Sequence, residues 1–324
     1  MKRFWRILIA ALLVSIVLPA CAEFDDMDDM EYWSDQLYWI TEEIGARPIG
    51  SEGEVAAMDY LRAEFESFGF SAENGTLQEY PVEIALGNDL EAILPAAQSE
   101  EPHVIIICAH YDSTMYGPGT RDNGSGMAAM LAMAREFSAM EPYPDTELRF
   151  VAFTAEETGH QGSQAYVAQL EEEERQRIIA AFNLDLITTD VWLMDHVFSV
   201  DTMGMRTADG YVDGSDEAPA MNKVARAVTA AIEELEYFDP EENGYSYCVP
   251  RHLGMSDHDS FHYAGIDSAN LAFRGNEEEG GTWHPYMHGG GDTHGDLDLE
   301  RTYQALNIVF TAVSHLAEDP AYGD

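Results

Sequence analysis

His110 and Asp112, spaced as H-x-D, close an apolar run, Val104–Ile107, that reads as a buried strand. Asp122 follows inside the tight sequence DNGSG, and a helix-like stretch comes next. An imidazole on a rigid strand, a carboxylate to orient it and an acid on a tight loop are the parts of a metal site. Two further apolar runs end in the same way. Residues 148–154 lead to Ala155-Glu156-Glu157, and residues 178–186 end on Asn183-Leu184-Asp185. Ligands of open α/β sheets bind at the carboxyl ends of the strands, so three strands delivering acid or imidazole to one edge define a site.

Zinc takes imidazole nitrogen and carboxylate oxygen, and a catalytic zinc keeps one position for water. A pair of zincs needs a bridging carboxylate, one histidine each and one further acid each. The inventory supplies His110 and Asp185 for one ion, Glu157 for the other and Asp122 between them. Asp112 suits the carboxylate that orients the imidazole, and Glu156 is free to serve as general base. A histidine for the second ion is still missing from this set, and the late Gly-rich loop supplies His284, His288 and His294 as candidates.

The elements that must hold these residues alternate along the chain. A helical pattern runs from Trp33 to Phe70, broken at GARPIGSEG, with Ser51 and Glu54 forming a capping pair. Strand-like pieces follow at 77–84, 90–94 and 104–108, then a helix at 126–139. The strand at 148–154 precedes a helical stretch at 161–177, whose EEEER reads as a solvated face. After the strand at 178–186, residues 188–220 look irregular and 222–235 helical. A short helix and a strand fill 253–273, a Gly-rich loop 277–296, and a helix 299–316. This alternation predicts an α/β fold: a single domain with a mostly parallel central β-sheet and helices on both faces. Its expected bounds are 35–318, after an acidic lead-in at 23–34 and before a tail at 319–324.

With the motifs assembled, the chain resembles the M28 aminopeptidases, a family with two co-catalytic zincs and a zinc-exopeptidase (phosphorylase/hydrolase-like) fold. The resemblance runs through His110-Tyr-Asp112-Ser, Asp122-Asn-Gly-Ser-Gly126, Ala-Glu156-Glu157-Thr-Gly and Asn183-Leu-Asp185. It ends on a late His four residues before Asp-Thr, an offset that selects His288 over His284 and His294. GARPIGSEGEVAAMDYLRAEFESFGF and Ser256-Asp257-His258 extend it to roughly residues 40–315, with no protease-associated insert domain. It implies that His110, Asp122 and Asp185 hold one zinc ion, and Asp122, Glu157 and His288 the other. It further implies that Glu156 activates a metal-bridging water to hydrolyse the N-terminal peptide bond of peptides with a free N-terminus, and that the Asp122–Asn123 peptide is cis. The oxyanion-stabilising tyrosine of several members has no clear counterpart, since Met287 precedes His288; Tyr286, His258 and His252 are the alternatives. Arg121, ahead of Asp122, either binds a neighbouring carboxylate or points outward.

Two other functions stay open: another zinc amidohydrolase or glutaminyl cyclase-like enzyme on this fold, and a non-catalytic, peptidase-like binding protein. Glu156 and Glu157 standing alone would read as a solvated helix start. His258 reads as structural or pocket-lining, and His160, His262 and His315 as surface groups.

Composition sets the outer limits. The 324 residues carry 60 acidic against 16 basic side chains, a net charge of −44, and lysine occurs only at positions 2 and 223. Such acidity disfavours nucleic-acid backbones and anionic membrane surfaces. Scattered acid with scarce lysine also matches a surface kept hydrated in brine, a high-salt adaptation. Lys2, Arg3 and Arg6 before the apolar 7–18 stretch form an export signal over residues 1–22. Cleavage after Ala22 competes with a lipoprotein reading in which Cys21 carries lipid, the only membrane attachment expected. Either route places the protein in the periplasm or outside the cell. The sequence carries no signal for an oligomeric state.

Overall fold

The computed structural model describes residues 28–193, 196–202, 206–207, 210–211, 222–238, 247–252, 255–275 and 284–323. The export segment and Cys21 lie outside them. Eight strands form one sheet in the order β1-β2-β4-β3-β5-β10-β6-β9. They are β1 (Leu77–Pro81), β2 (Asn88–Leu94), β3 (His103–His110), β4 (Thr146–Phe153), β5 (Ile178–Leu184), β6 (His196–Thr202), β9 (Tyr247–His252) and β10 (Ser268–Gly275). A separate hairpin pairs β7 (Arg206–Thr207) with β8 (Gly210–Tyr211).

The central strands β4, β3, β5 and β10 run parallel. Antiparallel pairings join β2 to β4, β1 to β2 and β6 to β10, so the sheet is mixed around a parallel centre. Strand β3 shows why the centre is apolar throughout. Ile105, Ile107 and Ala109 enter the larger core cluster, whereas Val104, Ile106 and Cys108 face the other side with Phe153, Tyr166 and Phe261. Successive side chains alternate between faces, and both faces are covered.

Helices α1 (Asp28–Tyr38), α2 (Glu52–Ser67), α3 (Ser125–Ala139), α6 (Lys223–Leu235) and α8 (Leu299–Glu318) contribute to the larger cluster. Helix α4 (Gln161–Gln169) and the short α7 (His258–Tyr263) cover the opposite face, and α5 (Glu172–Arg177) buries no residue. Ser51 caps α2 by accepting from Glu54 N–H at 3.2 Å. The Glu54 carboxylate reaches past it, accepting from Gly50 N–H (2.7 Å), Leu86 N–H (3.2 Å) and Thr154 Oγ1 (2.5 Å).

Three sequence expectations need correction. Residues 28–34 are not a lead-in: they start α1, Trp33 is fully buried, and its indole donates to Ser125 O at 3.2 Å. Acid and methionine hid the first turns of a helix that docks on α3. The segment 188–220 is not irregular throughout, because its residues His196–Thr202 form β6, buried along its whole length. At the far end the tail, expected to follow the domain, is packed onto it: Lys223 Nζ donates to Pro320 O at 2.6 Å, and Tyr322 packs against the core.

Arg47, fully buried, holds the chain between α1 and α2 against the loop after β3. Its guanidinium donates to five carbonyls: Tyr111 (2.7 Å), Gly45 (2.9 Å), Pro118 (2.5 Å), Gly119 (3.2 Å) and Ile40 (3.4 Å).

Candidate active site

Three of the four central strands, β3, β4 and β5, deliver a polar residue at or just past their carboxyl ends. His110 closes β3, Glu156 and Glu157 follow β4, and Asp185 follows β5. Asp122 arrives on the loop Thr120–Gly124, where the Asp122–Asn123 peptide is cis, as the family resemblance implied. Side-chain hydrogen bonds lock this loop onto β5 and α3: Asn123 Nδ2 donates to Leu184 O (2.8 Å), and Gly126 N–H donates to Asn123 Oδ1 (3.0 Å). Gly126 is required by space, because a Cβ there would sit 2.0 Å from Leu184 O.

The five residues read from the sequence as metal-holding converge into two groups. His110, Asp122 and Asp185 offer ligand atoms within 4.8 Å of one another, and so do Asp122, Glu157 and His288. Asp122 divides between them, Oδ1 lying 3.2 Å from His110 Nε2 and Oδ2 3.0 Å from His288 Nε2. His110 Nε2 also lies 3.6 Å from Asp185 Oδ1, and His288 Nε2 lies 3.4 Å from Glu157 Oε2. His110 Nε2, Asp185 Oδ1 and Glu157 Oε1 are buried with no hydrogen-bond partner. Buried polar atoms are normally satisfied, and orphaned ones of both imidazole and carboxylate type within these two donor groups are what cations would complete. The donor set therefore fits two zinc ions.

Asp112 does more than orient one ring. Its carbonyl lies 3.1 Å and its Oδ1 3.4 Å from His110 Nδ1. Its two carboxylate oxygens also accept the backbone N–H groups of Glu156 (3.1 Å) and Glu157 (3.2 Å). One buried carboxylate thus sets the position of an imidazole and of both glutamates.

Charge crowding shows in the protonation tendencies. Burial alone would raise Asp122, but hydrogen bonds from His110 and His288 hold it well below the usual carboxylate range. Burial, with Asp122 adding repulsion, pushes Glu157 up to about 8. Glu156 is also pushed well up by burial and by Asp185, Asp257 and Asp122, although His110 opposes this. The hydrogen bond to Asp122 lifts His288 to about 9. Carboxyl groups raised by burial and by neighbouring acids cluster at functional sites.

Asp122, Glu156, Glu157, Asp185 and His288 line a cleft of about 320 Å³, completed by Gly159, His160, Leu186, Met255, Asp259 and Met287. The lining includes neither Tyr286, whose ring stands beside Trp192 and His284, nor His258, which is buried behind Asp259. The side chain of His252 lies outside the described residues. His284 pairs with Asp190 at 3.1 Å, and the His294 ring meets Tyr38, so neither joins the donor groups.

Arg121 binds carboxylates rather than pointing outward. It is buried, pairs closely with Asp190 and reaches Asp292 Oδ1 at 3.1 Å. His160, expected on the surface, lines the cleft instead, because a left-handed residue (φ 57°) opens α4 there. The sequence held no spacing signal for that turn.

The chain belongs to peptidase family M28, whose model matches residues 91–313. Aminopeptidase YwaD of Bacillus subtilis (strain 168) is 36% identical over 214 residues, 66% of this chain and 41% of that protein. Leupeptin-inactivating enzyme 1 of Streptomyces exfoliatus is 36% identical over 143 residues, 44% of this chain and 32% of that one. The chain spans less than half the length of these curated relatives. The fold matches the solved structure of BSAP, a zinc aminopeptidase from Bacillus subtilis, with a TM-score of 0.72 at 21% identity over 90% of this chain and 96% of that one.

Proposed function

We propose that the protein is an exported di-zinc aminopeptidase that removes the N-terminal residue of peptides. The observation that carries this reading is Asp122, whose two oxygens face two separate imidazole–carboxylate sets with Glu156 alongside. His110, Asp122 and Asp185 would hold one zinc, and Asp122, Glu157 and His288 the other. Bound there, the ions supply Lewis acidity to the scissile carbonyl and make water a stronger acid.

The protein's own groups carry the protons. Glu156 Oε2 lies 3.8 Å from His110 Nε2, on the donor side of the cleft, and takes the proton of the attacking water. The same carboxyl then delivers it to the leaving amine as the peptide bond breaks, so the base ends the cycle unprotonated. Asp112 fixes the backbone of Glu156 throughout. The carboxylates of the cleft hold the free ammonium of the substrate, which favours an unblocked N-terminus. Leu186, Met255 and Met287 offer apolar contact for the substrate's first side chain.

Export is supported by Lys2, Arg3 and Arg6 ahead of an apolar stretch. No helix among the described residues is long and apolar enough to cross a membrane. Mass spectrometry of the mature N-terminus distinguishes cleavage before Glu23 from a lipidated Cys21.

Glu156→Gln tests the enzymatic reading. Hydrolysis of aminoacyl-p-nitroanilides should fall by about 10²–10⁴-fold with zinc content unchanged. Unchanged hydrolysis in the variant, or cyclisation of N-terminal glutamine by the wild type in place of hydrolysis, overturns it.

A further inference from the structure

One imidazole in the cleft belongs to neither donor group. His160 follows the turn after β4, its N–H donating to Glu156 O at 2.9 Å with φ at 57°. Its Nε2 comes within 3.4 Å of Glu156 Oε1. The two oxygens of Glu156 are thereby divided, Oε1 toward His160 and Oε2 toward His110. The other ring nitrogen, Nδ1, lies 3.9 Å from Asp259 Oδ2. Asp259 is itself anchored, since Oδ2 accepts Met255 N–H at 3.0 Å and Oδ1 lies 3.4 Å from His258 Nε2.

We propose that His160, backed by Asp259, is a positioning residue that holds Oε1 of Glu156 and so presents Oε2 to the reacting water. The inference rests on the reading of Glu156 as proton carrier. Glu156 stands among Asp122, Asp185 and Asp257, whose charges act against its own. An N–H donated to Oε1 offsets that repulsion on the one side of the carboxylate that does no chemistry. Contacts of this kind are often long before substrate closes the site and tighten in the complex. Burial holds the His160 ring toward its neutral form, and Asp259, at 3.9 Å from Nδ1 and beyond hydrogen-bond reach, opposes this by charge alone. The titratable groups around the ring are Asp259 and His258 from α7, Glu156 from its own turn, and His110 and Asp185 from the strand ends. A misplaced base is costly: an error of about 1 Å in a reacting group can reduce rate by about 10²-fold.

The test uses the full chain loaded with zinc and leucyl-p-nitroanilide as substrate. His160→Leu should lower kcat about tenfold or more, with KM within about twofold and zinc content unchanged. His160→Gln, which keeps a donor, should recover most of the loss. An unchanged kcat in His160→Leu, or a rise in KM alone, overturns the proposal by making His160 a mere wall of the cleft. A second measurement does not depend on turnover. The ¹⁵N ring signals of His160, identified by their loss in His160→Gln, should shift in both Glu156→Gln and Asp259→Asn. Signals that move in neither variant overturn the proposal even where His160→Leu is slow. Wild-type protein that hydrolyses no aminoacyl substrate ends the aminopeptidase reading, while the ring signals still decide the contact.

Discussion

Asp292 accepts the backbone N–H of Asp122 at 3.1 Å, tying the late Gly-rich loop to the acidic loop that faces both donor groups. Its other oxygen accepts Arg121 N–H at 2.9 Å and pairs with the Arg121 guanidinium. Asp292, four positions after His288 and a motif marker in the sequence, is therefore the strut between the two halves of the site.

Removing that strut should cost both stability and metal. Asp292→Ala leaves a buried guanidinium with one carboxylate fewer, and unfolding by urea should show a loss of about 3–5 kcal/mol. Zinc affinity should fall about 10–100-fold, because the loop presenting Asp122 loses its outer support. A variant with wild-type midpoint and zinc affinity would contradict this account.

The two donor groups differ in access. His110 is fully buried, whereas the side chain of His288 is 52% exposed. Zinc should therefore leave in two kinetic phases under a chelator, the first from the His288 side. A zinc-sensitive dye reads both phases, and a single phase with a stoichiometry of two would show that the sites open together.

Much of this centre could be read from residue order because a strand end fixes both position and direction. His110, Glu156, Glu157 and Asp185 each follow an apolar run long enough to be recognised, whereas the choice of His288 among three histidines comes from the family resemblance, whose motif places a late His four residues before Asp-Thr. The start of helix α1, ahead of the helical pattern read from Trp33, escaped notice because Asp28, Asp29 and Glu31 make it look like a solvated segment. The roles of Arg121 and His160 depend on partners far along the chain, Asp292 for one and Asp259 for the other. Local pattern carries no trace of such partners.

Asp257 offers a test of stability against pH in chelated protein. It is fully buried, and burial, with Asp112 and Asp185 adding repulsion against the pull of His110, pushes it up to about 7. An unfolded chain gives up this proton near pH 4, so between about pH 4 and pH 7 the folded state alone retains it. Raising the pH through that window removes stability, by about 2–4 kcal/mol in all. Asp257→Asn cannot lose a proton, so its urea midpoint should gain on wild type as pH rises from about 4.5 to about 8. Parallel midpoints across this range would refute the assignment.

Net charge of −44 should make the whole fold sensitive to ionic strength. Raising KCl from about 0.1 M to about 2 M shortens the screening length to a few ångströms and suppresses repulsion between surface acids. The melting temperature should rise. A flat or falling curve would remove the case for a brine-adapted surface.

Salt cannot do the same for the interior, and Arg47 is the reason this matters. Its guanidinium is spent on carbonyl oxygens, yet its charge is felt by Asp112, Asp292, Asp122 and Glu157. It is an internal counter-ion that touches none of the acids it serves. Mobile ions do not reach it, so the outer shell of this molecule can answer to the composition of its medium while the cleft keeps an electrostatic climate of its own.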